Sequence, residues 1–153
     1  MSDELRARTS AVVAVAHGVT QLARSTEQAV ADARSDLNRI GAQFQAALVR
    51  SQQQLSLAER ALEQADAALR RCRENCGPLQ DALGRCARAR DAAHRAHDQN
   101  RRADRQFQTA SHELLSTLGR SQQVISENAR ATSASVLAYA QELSAYLSSG
   151  GHS

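Results

Sequence analysis

The sequence predicts an all-α protein in which two long helices pair as an antiparallel coiled-coil hairpin. Three observations predict this fold. Apolar residues recur at alternating steps of three and four, which is the spacing of one helix face and not of a strand. Aromatic residues make up only 3% of the 153 residues, a composition that disfavours sheets. The only proline, Pro78, follows Gly77 at the middle of the chain.

The first helix is predicted over about residues 8–75, because small and apolar residues recur throughout this segment. The regular spacing changes at Phe44, which lies four residues from both Ile40 and Leu48. Such a four-residue insertion locally unwinds a supercoil. Gly41 lies beside it, and we expect a kink there.

The break between the helices is predicted at Gly77-Pro78. Glycine tolerates the left-handed backbone that often ends a helix, and proline fits the first turn of the next, where a missing N–H costs nothing. The second helix is then predicted over about residues 79–147, completing a single hairpin domain over 1–147. Residues 148–153 are expected to form a flexible tail, and the residues ahead of the first helix to be loose as well.

Folding the chain about this turn predicts which residues face each other. Phe107 is placed against Leu48 and near Phe44, and Tyr139 near Ala16. Further toward the turn, polar residues of the second helix fall opposite alanines of the first. The middle of the hairpin is therefore predicted to be poorly sealed.

The apolar stripe on the two helices is the predicted interaction surface. Two helices bury only one face each, so we expect a second hairpin or a partner's helices to complete a four-helix arrangement. The alternative fold breaks also at Gly41 and Gly119 and gives a compact four-helix bundle. The stripe residues expected to carry association are Val30, Leu37, Phe44, Leu48, Leu55, Leu62, Leu69, Phe107, Leu114, Leu118, Ile125, Val136 and Leu143.

The composition argues against several classes of function. The formal net charge is +3, from 19 basic and 16 acidic residues, so no general anion-seeking surface is implied. The sequence has no glycine-rich phosphate loop and no nucleophile elbow. We therefore predict that the protein is not an enzyme and needs no cofactor or metal.

The N-terminal pattern does not resemble a secretory signal. The apolar run at residues 11–16 is too short for the core of a signal peptide, and Asp3 and Glu4 precede it in place of basic residues. No stretch approaches the length of a transmembrane helix, so we expect no membrane insertion. The expected location is the cytoplasm, or outside the cell by export without a cleaved signal peptide.

Three cysteines lie near the turn. Cys72 and Cys76 are four residues apart on one helix face, and Cys86 follows in the next helix. The favoured interpretation is three small core residues, since cysteine is among the most buried residue types. The alternative is a disulfide between Cys72 and Cys86, which requires their Cα atoms to lie within about 7 Å. A three-cysteine metal site lacks a fourth ligand.

Histidines and acidic residues cluster in the second helix. Asp91, His94, His97 and Asp98 are spaced so that some share a helix face, but the pattern is not His-Glu-x-x-His and favours solvated pairs. His97 occupies a stripe position, where a polar side chain can fix the register of a coiled coil or respond to pH.

The segment from residue 70 to residue 105 holds ten arginines against five carboxylates. Arginine matches phosphate oxygens, so a nucleic-acid or anionic-surface binder that uses Arg101 and Arg102 is one alternative function. The interspersed carboxylates and the lack of aromatic residues favour a solvated helix surface instead. A structural spacer or filament subunit, joined to another hairpin through Cys76, is a further alternative.

The basic residues are all arginine, which is typical of a GC-rich bacterial genome. An Ala- and Gln-rich two-helix chain without a leader, turning at a glycine near its centre, resembles the WXG100 (ESX-like) helical-hairpin proteins and the coiled-coil partners encoded beside type VII secretion systems. That resemblance implies a non-enzymatic interaction protein, a homodimer or the partner of another helical protein, which acts as a helper or carrier in bacterial secretion or a toxin system. The family's tryptophan turn is replaced here by Asn75-Cys76-Gly77-Pro78, and Tyr139 is followed at the fourth position by Leu143 in place of an acidic residue. No family residue is therefore transferred.

Overall fold

A computed structural model describes residues 2–149 of the chain. These residues form two α-helices, α1 (Ser2–Arg71) and α2 (Gly77–Ser149), joined by a turn at residues 72–76. No strand occurs among them. Side chains of α1 and α2 contact each other, so the fold is an all-α helical hairpin, as the sequence predicts.

Both helices continue through the glycines at which the alternative fold would break. α1 passes through Gly41 and α2 passes through Gly119, so the described chain has two helices and the four-helix bundle is wrong. Gly41 instead permits close packing between the helices. A Cβ atom added to it would lie 3.2 Å from Cε1 of Phe107, which is tighter than ordinary contact.

The helices extend beyond their predicted outer ends. α1 begins at Ser2, with Asp3 and Glu4 in its first turn, where negative charge is favourable. α2 continues to Ser149, and the Ser148 hydroxyl donates a hydrogen bond to the Ser144 carbonyl at 3.2 Å. Residues 2–7 and 148–149, which the sequence places outside the two helices, therefore belong to them. The rest of the predicted tail, residues 150–153, lies outside the described residues.

The turn lies four residues earlier than the sequence predicts, because α1 ends at Arg71 and not at residue 75. Asn75 holds the left-handed conformation, with φ 53°, and no described glycine has a positive φ. Asparagine is one of the few residues that tolerate this region, so the assignment of that role to Gly77 is wrong. The amide of Gln80 donates to the Cys76 carbonyl at 3.0 Å, which places Pro78 in the first turn of α2 as predicted.

The chain divides into two compact units. We call Asp36–His112 the tip unit, and Met1–Ser35 with Glu113–Ser153 the end unit. In the tip unit Leu55 is buried, and the rings of Phe44 and Phe107 stack with centroids 5.0 Å apart. The predicted proximity of these two rings is confirmed. The buried apolar residues of the end unit are Ala16, Val30, Ala129 and Ala140.

Candidate interaction surface

Most of the predicted interaction stripe is covered within the hairpin. Val30 and Leu55 are buried, whereas Leu114 is exposed. Because the described chain has only two helices, this burial comes from packing between them, and a charged residue at Leu55 would disturb folding. The remaining stripe residues are half-buried: Leu37, Phe44, Leu48, Leu62, Leu69, Phe107, Leu118, Ile125, Val136 and Leu143.

A different set of large apolar side chains is exposed in the end unit. Val15 and Leu22 of α1 are 56% and 65% exposed, and Tyr139 and Tyr146 of α2 are 55% and 81% exposed. The two residues on each helix are seven apart and so lie on one side of that helix. We call these four residues the end-unit apolar face.

The end-unit apolar face continues from α1 to α2 across a groove that both helices line. Val12 and Val15 of α1 line one groove together with Val136 and Tyr139 of α2. Tyr139 also lines the next groove along α2, with Leu143 and Tyr146. The tyrosines therefore extend an apolar surface that begins on α1.

A second groove of the end unit has a mixed lining, in which charged side chains lie beside the exposed Leu137. Arg24 and Glu27 of α1 and Arg130 of α2 line it. The Ser126 hydroxyl donates a hydrogen bond across it to Glu27 Oε1 at 3.3 Å. Large apolar side chains are therefore exposed elsewhere in the end unit as well, among them Leu137 at 44% and Val124 at 56%.

In the tip unit, a buried carboxylate is held by two amides. Asp104 is only 7% exposed. Gln45 Nε2 on α1 donates to its Oδ1 at 3.1 Å, and Gln108 Nε2, one turn along α2, donates to its Oδ2 at 2.8 Å. Both glutamines are exposed, so each amide keeps access to water.

A second polar pair joins the helices nearer the turn. Ser51 is buried, and its hydroxyl donates to the Leu48 carbonyl at 3.0 Å. His97 Nδ1 of α2 lies 2.9 Å from Ser51 Oγ, so the two side chains are hydrogen-bonded to each other. His97 therefore lies beside Ser51, and not opposite Ala58, which is the alanine that a turn at Gly77-Pro78 would place there.

The acidic and histidine cluster of α2 separates into local pairs. His94 Nδ1 lies 3.1 Å from Asp98 Oδ2, and Asp91 pairs with Arg90 at 3.0 Å. His97 contacts Ser51 and joins neither pair. Within residues 2–149 no group of three or more histidine, cysteine or acidic side chains is arranged to hold a metal ion.

The cysteines are not arranged as the sequence suggests. Cys72 and Cys76 form a disulfide with Cα atoms 5.9 Å apart, and Cys86 is free and half-buried. Both predictions, three cysteines packed as free thiols in the core and a disulfide between Cys72 and Cys86, are therefore wrong. The turn brings Cys72 beside Cys76, whereas Cys86 lies about 15 Å further along α2 at 1.5 Å per residue. The sulfur of Cys76 is occupied, so the disulfide form cannot use it to join two hairpins.

The arginine-rich segment contains one row of exposed cations. Arg88, Arg95 and Arg102 are spaced by seven residues on α2, and all three are exposed. The salt bridges of the described chain involve other basic residues, so this row has no carboxylate partner there.

Neither described helix has a segment apolar and long enough to cross a bilayer. No protein-family model, curated protein or solved structure matches this chain.

Proposed function

We propose that this protein is a non-enzymatic helical interaction protein that binds the helices of another protein molecule through its end-unit apolar face. The observation that carries the proposal is the exposure of Val15 and Leu22 on one side of α1 and of Tyr139 and Tyr146 on one side of α2. The two sides meet at the groove that Val15 and Tyr139 line together. Scattered apolar side chains are normal on surfaces, but a contiguous set is typical of a binding site.

The chemistry of this face suits another helix. Tyrosine is enriched among the residues that dominate binding energy, because its ring buries a large area with few rotatable bonds. Gly18 lies between Val15 and Leu22, and Ser135 lies one turn before Tyr139. These small exposed residues let a second helix approach closely. We therefore expect an occupant with apolar helices, which would complete a four-helix arrangement.

A helper, carrier or partner role in a bacterial secretion or toxin system is the biological setting of this proposal. The hairpin architecture and the Ala-, Gln- and Arg-rich composition support that setting. A second copy of the chain and a different helical protein both fit the chemistry of the face, and the experiment below distinguishes them.

The test compares Leu22→Glu with Leu57→Glu. The two leucines are 65% and 64% exposed, but Leu57 belongs to the tip unit and is not part of the end-unit apolar face. Circular dichroism verifies that both variants remain helical. Sedimentation velocity measures self-association, and co-purification from the native host with mass spectrometry measures binding of another protein.

We expect Leu22→Glu to weaken association about tenfold or more, because burying an unpaired carboxylate is costly, and Leu57→Glu to leave it unchanged. Loss of self-association identifies a second copy as the occupant, and loss of a co-purified helical protein identifies a heterologous partner. Equal association of the two variants would refute the proposal. So would a wild-type protein that remains monomeric and binds nothing whose retention depends on Leu22.

A second candidate function is binding of polyanions through the row Arg88, Arg95 and Arg102, whose exposure without carboxylate partners favours it. Retention on DNA, RNA or anionic vesicles should then fall steeply with salt and with Arg95→Ala/Arg102→Ala, because arginine contacts release counterions. Absence of retention at low salt would exclude this function.

A further inference from the structure

We infer that the Cys72–Cys76 disulfide is a reversible redox site that determines where α1 ends. In the disulfide form α1 stops at Arg71, immediately before the first bonded cysteine. After reduction, residues 72–75 join α1 and the turn moves toward Gly77-Pro78. This inference is independent of the proposed interaction through the end-unit apolar face.

The disulfide and a helix exclude each other at these positions. Side chains four residues apart in an α-helix have Cβ atoms about 5–6 Å apart. A disulfide requires Cβ atoms about 3.5–4.5 Å apart. Cys72 and Cys76 can therefore be bonded only if the segment between them leaves the helix. Asn75, inside the loop that the bond closes, has the left-handed φ of 53° that such a departure requires.

Without the bond, this segment has the features of a helix. Cys72 and Cys76 continue the apolar stripe from Leu69, and Arg73 and Glu74 are good helix formers. No glycine or proline occurs between Arg71 and Gly77. Asn75 tolerates the left-handed backbone that ends a helix, and the disulfide is the feature that holds the chain in that conformation. The following stop signal along the chain is Gly77-Pro78.

The reduced chain has enough residues to make the new turn. If α1 reached residue 75, opening the first turn of α2 would leave residues 76–80 as the connection. Helix–helix connections of about 2–8 residues are ordinary. Gly77 and Pro78 would lie within this connection, and both are common in turns.

The bond is accessible to a dithiol reductant. Cys72 and Cys76 are half-buried, and the exposed Arg71 and Arg73 flank Cys72 with positive charge that stabilises a thiolate. A thiolate of the reductant attacks one sulfur and forms a mixed disulfide, while the other cysteine leaves as a thiolate and takes up a proton. The second thiol of the reductant then displaces the remaining cysteine. The protein gains two electrons and two protons, and the reductant leaves as its own disulfide.

Nuclear magnetic resonance of the full chain, with and without dithiothreitol, tests this inference. The measured quantities are the Cα chemical shifts of Arg73, Glu74 and Asn75 and the exchange rates of their amide protons. We expect reduction to move the three shifts to helical values and to slow amide exchange about tenfold or more as helical hydrogen bonds form.

Two variants control for other effects of the reductant. Cys72→Ser/Cys76→Ser should show the helical shifts with or without dithiothreitol, and Cys86→Ser should respond as the wild type does. Residues 73–75 that stay non-helical or become disordered in the reduced wild type would overturn the inference. Alkylation of all three thiols in protein that has not been reduced would also overturn it.

Discussion

Replacing Asp104 with leucine should stabilise the tip unit, although it removes two hydrogen bonds. The carboxylate is 7% exposed, and taking a carboxylate out of water costs several kcal/mol. Its two amide donors each return about 1.5–3 kcal/mol, so the hydrogen bonds roughly offset the desolvation. Gln45 and Gln108 are exposed, and water can replace the carboxylate as their partner.

The burial of the leucine side chain then decides whether the free energy of unfolding rises or falls. A fully buried leucine contributes about 1.5–3 kcal/mol, so we expect Asp104→Leu to raise the free energy of unfolding by about 1–2 kcal/mol. With an m value of about 1–3 kcal/mol/M, the urea midpoint should rise by roughly 1 M. Equilibrium urea unfolding followed by circular dichroism measures this shift.

Two control variants separate charge from shape. Asp104→Asn keeps the shape and lets the glutamines reorient, so we expect a change below about 1 kcal/mol. Glu113→Leu replaces an exposed carboxylate of α2 and should change stability by no more than about 0.5 kcal/mol. A loss of more than 1 kcal/mol on Asp104→Leu, with Asp104→Asn unchanged, would show that the carboxylate–amide network stabilises the fold and that the reasoning above is wrong.

Three further predictions concern helix packing and the turn. Gly18→Ala should raise the free energy of unfolding by about 0.5–1 kcal/mol, since an added Cβ meets nothing within 4 Å. Gly41→Ala should give no such gain in urea unfolding, because its Cβ would lie 3.2 Å from Phe107. Phe107→Ala should lower the free energy of unfolding by about 2–3 kcal/mol through loss of the stack with Phe44, whereas Leu114→Ala should change it by no more than about 0.5 kcal/mol. Equal thermal midpoints of the two variants would contradict this prediction. Asn75→Val should destabilise the disulfide form by about 1–2 kcal/mol, because a β-branched residue is strained at a φ of 53°. A thermal unfolding midpoint equal to that of the wild type would argue against this turn.

The hairpin could be predicted from the sequence because helix periodicity and the Gly77-Pro78 break are both local signals. The spacing of apolar residues is sufficient to assign two helices without knowledge of the partner face. Even the proximity of Phe44 and Phe107 follows, since it depends only on an antiparallel fold about a central turn. These predictions hold even when the position of the turn is predicted a few residues away from where it lies.

The register could not be predicted, because it depends on the residue at which α1 ends. The turn at residues 72–76, which contains the Cys72–Cys76 disulfide, lies nearer the N-terminus than predicted, and facing pairs of the tip unit are displaced with it. His97 then meets Ser51, and Asp104 meets Gln45, in place of the residues expected opposite them from a turn at Gly77-Pro78. Polar residues that would leave a gap in the predicted register are hydrogen-bonded in the observed one.

The exposed face could not be separated from the core for a related reason. Leu22 and Leu55 belong to the same apolar pattern, yet one is exposed and the other is buried. The pattern identifies the wide apolar side of each helix, and only the packing of α1 on α2 shows which part of it stays uncovered. Exposure of the tyrosines on α2 follows from that packing.

Hydroxyl-radical footprinting of the protein in the assembly isolated from its host tests the interaction surface directly. Oxidation rates of Tyr139 and Tyr146 are compared with that of Leu57, each normalised to its rate in the unfolded chain. We predict that both tyrosines are oxidised several-fold more slowly than their exposure in the isolated hairpin implies, while Leu57 reacts as an exposed residue. Normalised rates for Tyr139 and Tyr146 as high as that of Leu57 would contradict binding through the end-unit apolar face.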